Sequence, residues 1–144
     1  MLQSESQGSA AGQRGGRPDS AVETVKGETQ LSYLKNISHE RVVKLADEID
    51  AAPGQVVSKT LAQNEAVSVT LFAFSKGEEI GTHASDGDAM VFILEGCAEL
   101  TIDGVKYLCS PGESIVMPAH KPHAVYAEED FKMLLTVVFP LGKD

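Results

Sequence analysis

His83, Ser85, Asp86, Asp88 and Met90 stand in one short stretch of the chain, and Pro118, His120, Pro122 and His123 stand in a second, well separated from it. Imidazole titrates near neutral pH and is the commonest nitrogen ligand for divalent metals. Two histidines brought together from distant segments therefore suit a metal site, an acid and base pair, or, as imidazolium, an anion site. Asp86 and Asp88 lie in a Ser-Asp-Gly-Asp turn, where carboxylates are ordinarily solvated, though either adds an oxygen ligand if the turn folds inward. Ser85 offers a hydroxyl to a ligand or to a neighbouring backbone group, the latter being its commoner use. His39 falls outside both stretches and reads as a solvated polar residue. Cys97 and Cys109 have neither metal nor redox spacing, and no serine has the histidine and acid context of a nucleophile.

These side chains can meet only if the elements that carry them bring them together. From Gln55 onward, β-branched and aromatic residues alternate with polar ones in short runs separated by turn residues, the signature of strands. The expected strands are Gln55–Ala62, Val67–Phe74, Ile80–Ser85, Ala89–Leu94, Cys97–Asp103, Val105–Cys109, Ser114–Met117, His123–Ala127 and Lys132–Phe139. Val67, Val69 and Leu71 share one face of the second. Asp103-Gly104 is a strong signal for a type I′ hairpin, because that turn needs positive φ at both central residues. It sets Ile102 opposite Val105, Leu100 opposite Tyr107 and Ala98 opposite Cys109, with mostly apolar pairs on one face. The same register separates Cys97 from Cys109 by face and argues against a disulfide. The run with Val42, Val43, Leu45 and Ile49 fits either a short helix or an edge strand. Roughly nine or ten short strands imply an all-β antiparallel sandwich or barrel, with a jelly roll fitting well.

Two segments carry more than a pattern. Gly77-Glu-Glu-Ile-Gly-Thr-His83 through Glu95-Gly96, and Gly112-Glu-Ser-Ile-Val-Met-Pro118-Ala-His120-Lys-Pro-His123, resemble the two signature motifs of the cupin superfamily. The likeness runs from about Asn36 to Leu141 and points to a small RmlC-like cupin, an antiparallel double-stranded β-helix. It implies a metal site in which two histidines and a glutamate from the first motif and one histidine from the second hold Fe, Mn, Ni, Cu or Zn. Imidazole and carboxylate suit such metals, and inward side chains from several strands can surround one ion. His83 and His123 match two of these positions. Ser85 stands where the second histidine belongs, and Ala89 or Met90 where the glutamate belongs. His120 occupies the glycine position of the second motif, in a turn outside the barrel mouth. Met90 is expected to fill core or to line the same cavity. A pair of neutral imidazoles is a weak metal site unless substrate or another side chain completes it.

Composition sets the frame. At 144 residues and 42% hydrophobic the chain makes one domain, and residues 1–32, rich in Gly, Ser, Gln and charge, read as a disordered tail before a barrel over 33–144. The formal net charge of −9 opposes nucleic-acid binding. No apolar run is long enough to span a membrane, no secretory leader is visible, and a cytoplasmic setting follows. The expected role is capture of a small polar metabolite, such as a carbohydrate or organic acid, around His83 and His123, with a divalent metal as part of the site. Ser85, Asp88, Met90 and His120 are candidate pocket residues. The alternatives are a metal-dependent dioxygenase, isomerase or lyase, and a metal-free ligand-binding module or a structural dimeric module that pairs through its VVSKTLA or MLLTVVF edge.

Overall fold

An extended backbone puts every second side chain on the same face, so the alternation that begins near Gln55 can bury one face only by stacking sheets. The computed structural model describes residues 22–25, 28–31 and 33–142. Its strands are β1 (Val22–Val25), β2 (Glu28–Leu31), β3 (Val56–Gln63), β4 (Val67–Phe74), β5 (Glu79–His83), β6 (Asp88–Glu95), β7 (Ala98–Ile102), β8 (Val105–Cys109), β9 (Ser114–Met117), β10 (His123–Ala127) and β11 (Phe131–Val138). They form a sheet ordered β3-β4-β11-β6-β9, a second ordered β5-β10-β7-β8, and a separate β1-β2 pair. All pairings are antiparallel. The all-β jelly-roll barrel expected from the sequence is the fold. Of the expected tail over 1–32, most lies outside the described residues; within it, β1 and β2 pair antiparallel. Strand bounds differ from the sequence reading by one or two positions at several ends, and β5 stops at His83, before Ser85.

The two larger sheets close on a core in which Phe74, Phe131, Ile93, Leu100, Met133 and Val91 are the largest fully buried side chains. Phe74 and Phe131 are partners in the β4–β11 register and stack with ring centroids 4.5 Å apart. Their bulk fills one end of the barrel.

The five-stranded sheet is buried on its outer face as well. Ile49, Val57, Leu61, Leu71 and Ala73 form a second cluster there, with Ile37, Leu45 and Leu134 packed on it. The segment that covers it is neither a regular helix nor an edge strand. It is an irregular strap with one 3-10 turn at Leu45–Glu48, in which Ile49 is buried and Val42 fully exposed. Two lysines pin it from the outer face of the sheet. Lys59 on β3 donates to the Glu48 carbonyl at 3.1 Å and its carboxylate at 3.2 Å, and Lys132 on β11 donates to the Ala46 carbonyl at 2.6 Å and Asp50 at 3.1 Å.

The expected pairing edges require correction. β11, the MLLTVVF run, sits between β4 and β6 in the middle of its sheet. β3, the VVSKTLA run, is an edge strand, but the Thr60 carbonyl accepts from Asn36 Nδ2 and the Leu61 carbonyl from Lys35 N, both at 2.8 Å. The strap thus blunts that edge. Of the β7–β8 pairs, registered as the Asp103-Gly104 turn requires, Ala98, Leu100, Ile102 and Cys109 are buried, whereas Val105 and Tyr107 are exposed. An edge strand has no neighbour to cover its outer positions, so the apolar pairs are only half interior.

Turn chemistry agrees with backbone geometry. Asp103 and Gly104 have φ of 51° and 85°, as a type I′ turn demands, and Gly112 after Pro111 has φ of 86°, as at the third position of a type II turn. Gly96 has φ of 77°, and a Cβ there would collide with the Asp130 carbonyl oxygen and the Phe131 backbone. Gly96 is thus fixed by close backbone approach as well as by conformation. Gly112→Ala, which meets open space, should cost about 1–2 kcal/mol from the left-handed conformation alone. Gly96→Ala should cost clearly more in urea unfolding, and equal losses would show that the contact with Asp130 is unimportant.

Candidate functional site

β5 and β10 are neighbours in the four-stranded sheet, and their register sets His83 directly opposite His123. The pairing is irregular between His123 and Val125, the kind of local distortion that re-aims a side chain beside a site. The two rings meet edge to face, with centroids 4.4 Å apart and planes at 71°. His123 is 3% exposed and is the one polar or charged residue among the buried described residues; His83 is half-buried.

Each ring is oriented by a carbonyl two residues back along the chain. His83 Nδ1 lies 2.9 Å from the Gly81 oxygen, and His123 Nδ1 lies 3.1 Å from the Lys121 oxygen. A carbonyl can only accept, so both Nδ1 atoms carry the proton, and in the neutral rings both Nε2 atoms are bare acceptors. Burial, and then the neighbouring His83, hold the His123 pKa below its ordinary value, against the Lys121 hydrogen bond, which raises it. His123, held neutral with its proton on Nδ1, therefore presents its Nε2 lone pair to whatever enters.

What enters does so through a cavity of about 570 Å³, within the range of small-molecule sites. Its existence follows from side-chain size along the registers. At one end, Phe74 opposes Phe131; towards the other, Thr70 pairs with Thr60 across β3 and β4, Ser68 with Val137, and Ala89 with Val137 across β6 and β11. Small residues replace the aromatic pair, and the barrel is hollow there. Ser68, Thr70 and Thr60 face His83 and His123 across this space, with Met133 and Leu135 beside them.

The sequence reading missed the hydroxyl wall. The signal lay in the parity of β3 and β4, where Ser58, Thr60, Ser68 and Thr70 recur at alternate positions. The apolar parity of β4, with Val69 and Leu71, drew attention instead, and that face packs under the strap outside the barrel.

The other candidate residues separate cleanly. Ser85 lines the cavity, and its hydroxyl donates to the Gly87 carbonyl at 3.2 Å and accepts from the Gly87 amide at 3.1 Å. Asp86 is exposed and lines the open end. Asp88 does not line the cavity; its carboxylate accepts from the Ala119 amide at 2.8 Å. His120 is exposed with φ of 68°, the left-handed conformation natural to a glycine, and its backbone N–H donates to the Ser85 carbonyl at 2.8 Å. Asp88 and His120 thus act as cross-ties between the loops that carry His83 and His123, not as pocket groups. Met90 is 44% exposed on the outer face of β6, because strand parity turns Ala89 inward in its place. Cys97 and Cys109 are both free, and burial, followed by Glu113 and Cys97, pushes the Cys109 thiol above its ordinary pKa, away from thiolate reactivity.

The donor set is short for a resident metal. Among the described residues no three His, Cys, Asp or Glu side chains converge as a metal-binding group. His83 and His123 supply two nitrogens, Ala89 supplies no donor, and Ser85 bonds within its own turn.

A cupin domain model matches residues 70–139. A conserved protein of unknown function from Streptococcus pyogenes is 50% identical and superposes with a TM-score of 0.74, covering 76% of this chain and 96% of that one. A cupin superfamily protein from Desulfitobacterium hafniense is 38% identical, with a TM-score of 0.72 over 74% of this chain and 98% of that one. A 5-nitrosalicylic acid 1,2-dioxygenase from a Bradyrhizobium species is 36% identical over 66 residues, 46% of this chain; the match spans only 32% of that enzyme's length.

The lowered pKa of His123 has a consequence for stability. The unfolded chain takes up this proton more readily than the folded one, so stability is complete above the ordinary value of 6.5 and declines as pH falls through it towards the lower folded value. Thermal melts between about pH 7.5 and pH 5.5 should show a falling midpoint, and the slope should be shallower in His123→Gln. Parallel slopes in the two proteins would mean that His123 is not held neutral by the fold.

Proposed function

The chain belongs to the cupin superfamily, and on that premise we propose that it is a small-molecule-binding cupin whose pocket is organised by His83 and His123, ahead of a metal-dependent enzyme. One observation carries this reading. The chain keeps two imidazoles with both Nε2 atoms bare and both rings locked by backbone carbonyls, and offers no third ligand among the described residues. A Lewis acid needs a defined coordination shell with an open position, whereas a ligand with hydroxyl donors needs only acceptors held at fixed places. His83 and His123 supply those acceptors in a cavity of suitable size, and pre-orientation removes much of the ordering cost of binding.

A second reading has its own support in the 36% identity to the nitrosalicylate dioxygenase segment. Two bare Nε2 atoms hold a divalent metal when a chelating ligand brings the remaining donors. Elemental analysis of untagged protein purified without chelator separates the two. The binding reading expects metal well below one per chain. It also expects ligand-induced thermal shifts, in a screen of small polar metabolites, that vanish in the His83→Ala/His123→Ala double variant while the barrel stays folded. A ligand at a hundredfold excess over its Kd should stabilise the wild type by about 2.7 kcal/mol. Near-stoichiometric metal that disappears in the double variant would instead favour the enzyme.

We also propose a homodimer in a reducing, cytoplasmic setting. Both thiols are free, among the described residues no helix is long and apolar enough to cross a membrane, and edge strand β8 exposes Val105, Tyr107 and Leu108. Sedimentation should show a dimer that Leu108→Lys weakens; a monomer at all concentrations would remove it.

A further inference from the structure

We infer that the ligand is an uncharged, polyhydroxylated molecule with one apolar face, that is, a neutral sugar or cyclic polyol and not an organic acid. This rests on the pocket reading above and narrows it. Among the described residues no lysine or arginine lines the cavity, and its one acidic side chain, Asp86, is exposed at the open end. The two lysines on the cavity's own five-stranded sheet are turned the other way. Lys59 pairs with Glu48 outside β3, and Lys132 pairs with Asp50 and Glu95 outside β11. A carboxylate in this cavity would lose its water without gaining a lysine or arginine partner, an unfavourable exchange. The net charge of −9 adds a repulsive field on approach. Nor, among the described residues, is there a buried acid to pair with an ammonium group.

The lining favours hydroxyls. Thr60 and Thr70 are directly paired across β3 and β4, with Ser68 on the same wall, and each hydroxyl both donates and accepts. In neutral rings whose Nδ1 atoms donate to the Gly81 and Lys121 carbonyls, the Nε2 atoms across the cavity accept only, which favours a partner that brings its own protons. Met133, Leu135 and Val137 on β11 form an apolar strip beside the hydroxyl wall. A pyranose or cyclitol ring presents the same combination: hydroxyls at its rim and a C–H face.

The matched series D-glucose, D-galactose and D-mannose, each with its uronate and its 2-amino sugar, tests this by isothermal titration against the full chain. At least one neutral sugar should bind, with its uronate and amine at least about tenfold weaker. Thr70→Val, which removes one hydroxyl at nearly constant shape, should weaken the neutral sugar about fivefold to tenfold without lowering the melting temperature. A uronate or amino sugar that binds as tightly as its neutral counterpart, or a series in which no neutral sugar binds, overturns the inference. If the binding that is seen is lost in His83→Ala/His123→Ala, the pocket reading survives that result. Binding that persists in the double variant overturns the pocket reading itself.

Discussion

Two antiparallel sheets must bury their facing sides against one another, and the period of two along each strand fixes which residues do so. Everything distinctive here follows from what stands at those inward positions. Phe74 and Phe131 stack at one end and contribute the dense packing that holds the barrel shut. Ser68 and Thr70 stand further along β4, and Ala89 on β6 opposite Val137 of β11, and their small side chains leave space that the chain does not fill. A cavity built this way needs no special loop. It is a region of the core in which side-chain volume falls short, kept open because strands on both sides are held in register by their ladders.

The histidine pair joins fold to chemistry. His83 and His123 come from opposite ends of the second half of the chain, and the β5–β10 register alone makes them neighbours. Their orientation depends on local carbonyls, and the loops that follow β5 and precede β10 are tied to each other through Asp88 to the Ala119 amide and His120 to the Ser85 carbonyl. Residues whose types suggested ligation therefore support the site without entering it. The left-handed backbone at His120 shows how a position suited to glycine accepts another residue when its side chain can point to solvent.

Charge is partitioned by the same parity. The lysines of β3 and β11 alternate with inward hydroxyl and apolar residues, so their ammonium groups emerge on the outer face and tether the strap over Leu71 and Leu61. One set of contacts thereby does two things. It covers the second face of the five-stranded sheet, and it keeps cations out of the cavity. The strap was ambiguous in the sequence because its apolar residues obey neither a 3.6 nor a 2.0 period; it is shaped by the surface beneath it, not by its own hydrogen bonds.

The sequence by itself determined the all-β barrel, nearly every strand, the Asp103-Gly104 hairpin with its register, and His83 and His123 as the pair to watch. These are local properties: alternation, turn residues with positive φ, and motif spacing are all written within a few neighbouring positions. Only the tertiary structure decided which face of each strand is inside. Met90 and Ala89 are adjacent, and one step of parity sends the methionine to solvent and the alanine to the cavity. Likewise β4 has an apolar face at Val69 and Leu71 and a hydroxyl face at Ser68 and Thr70, and the apolar one is outside because the strap covers it. Alternation says that two faces differ; which one meets the ligand depends on what the rest of the chain packs against the other.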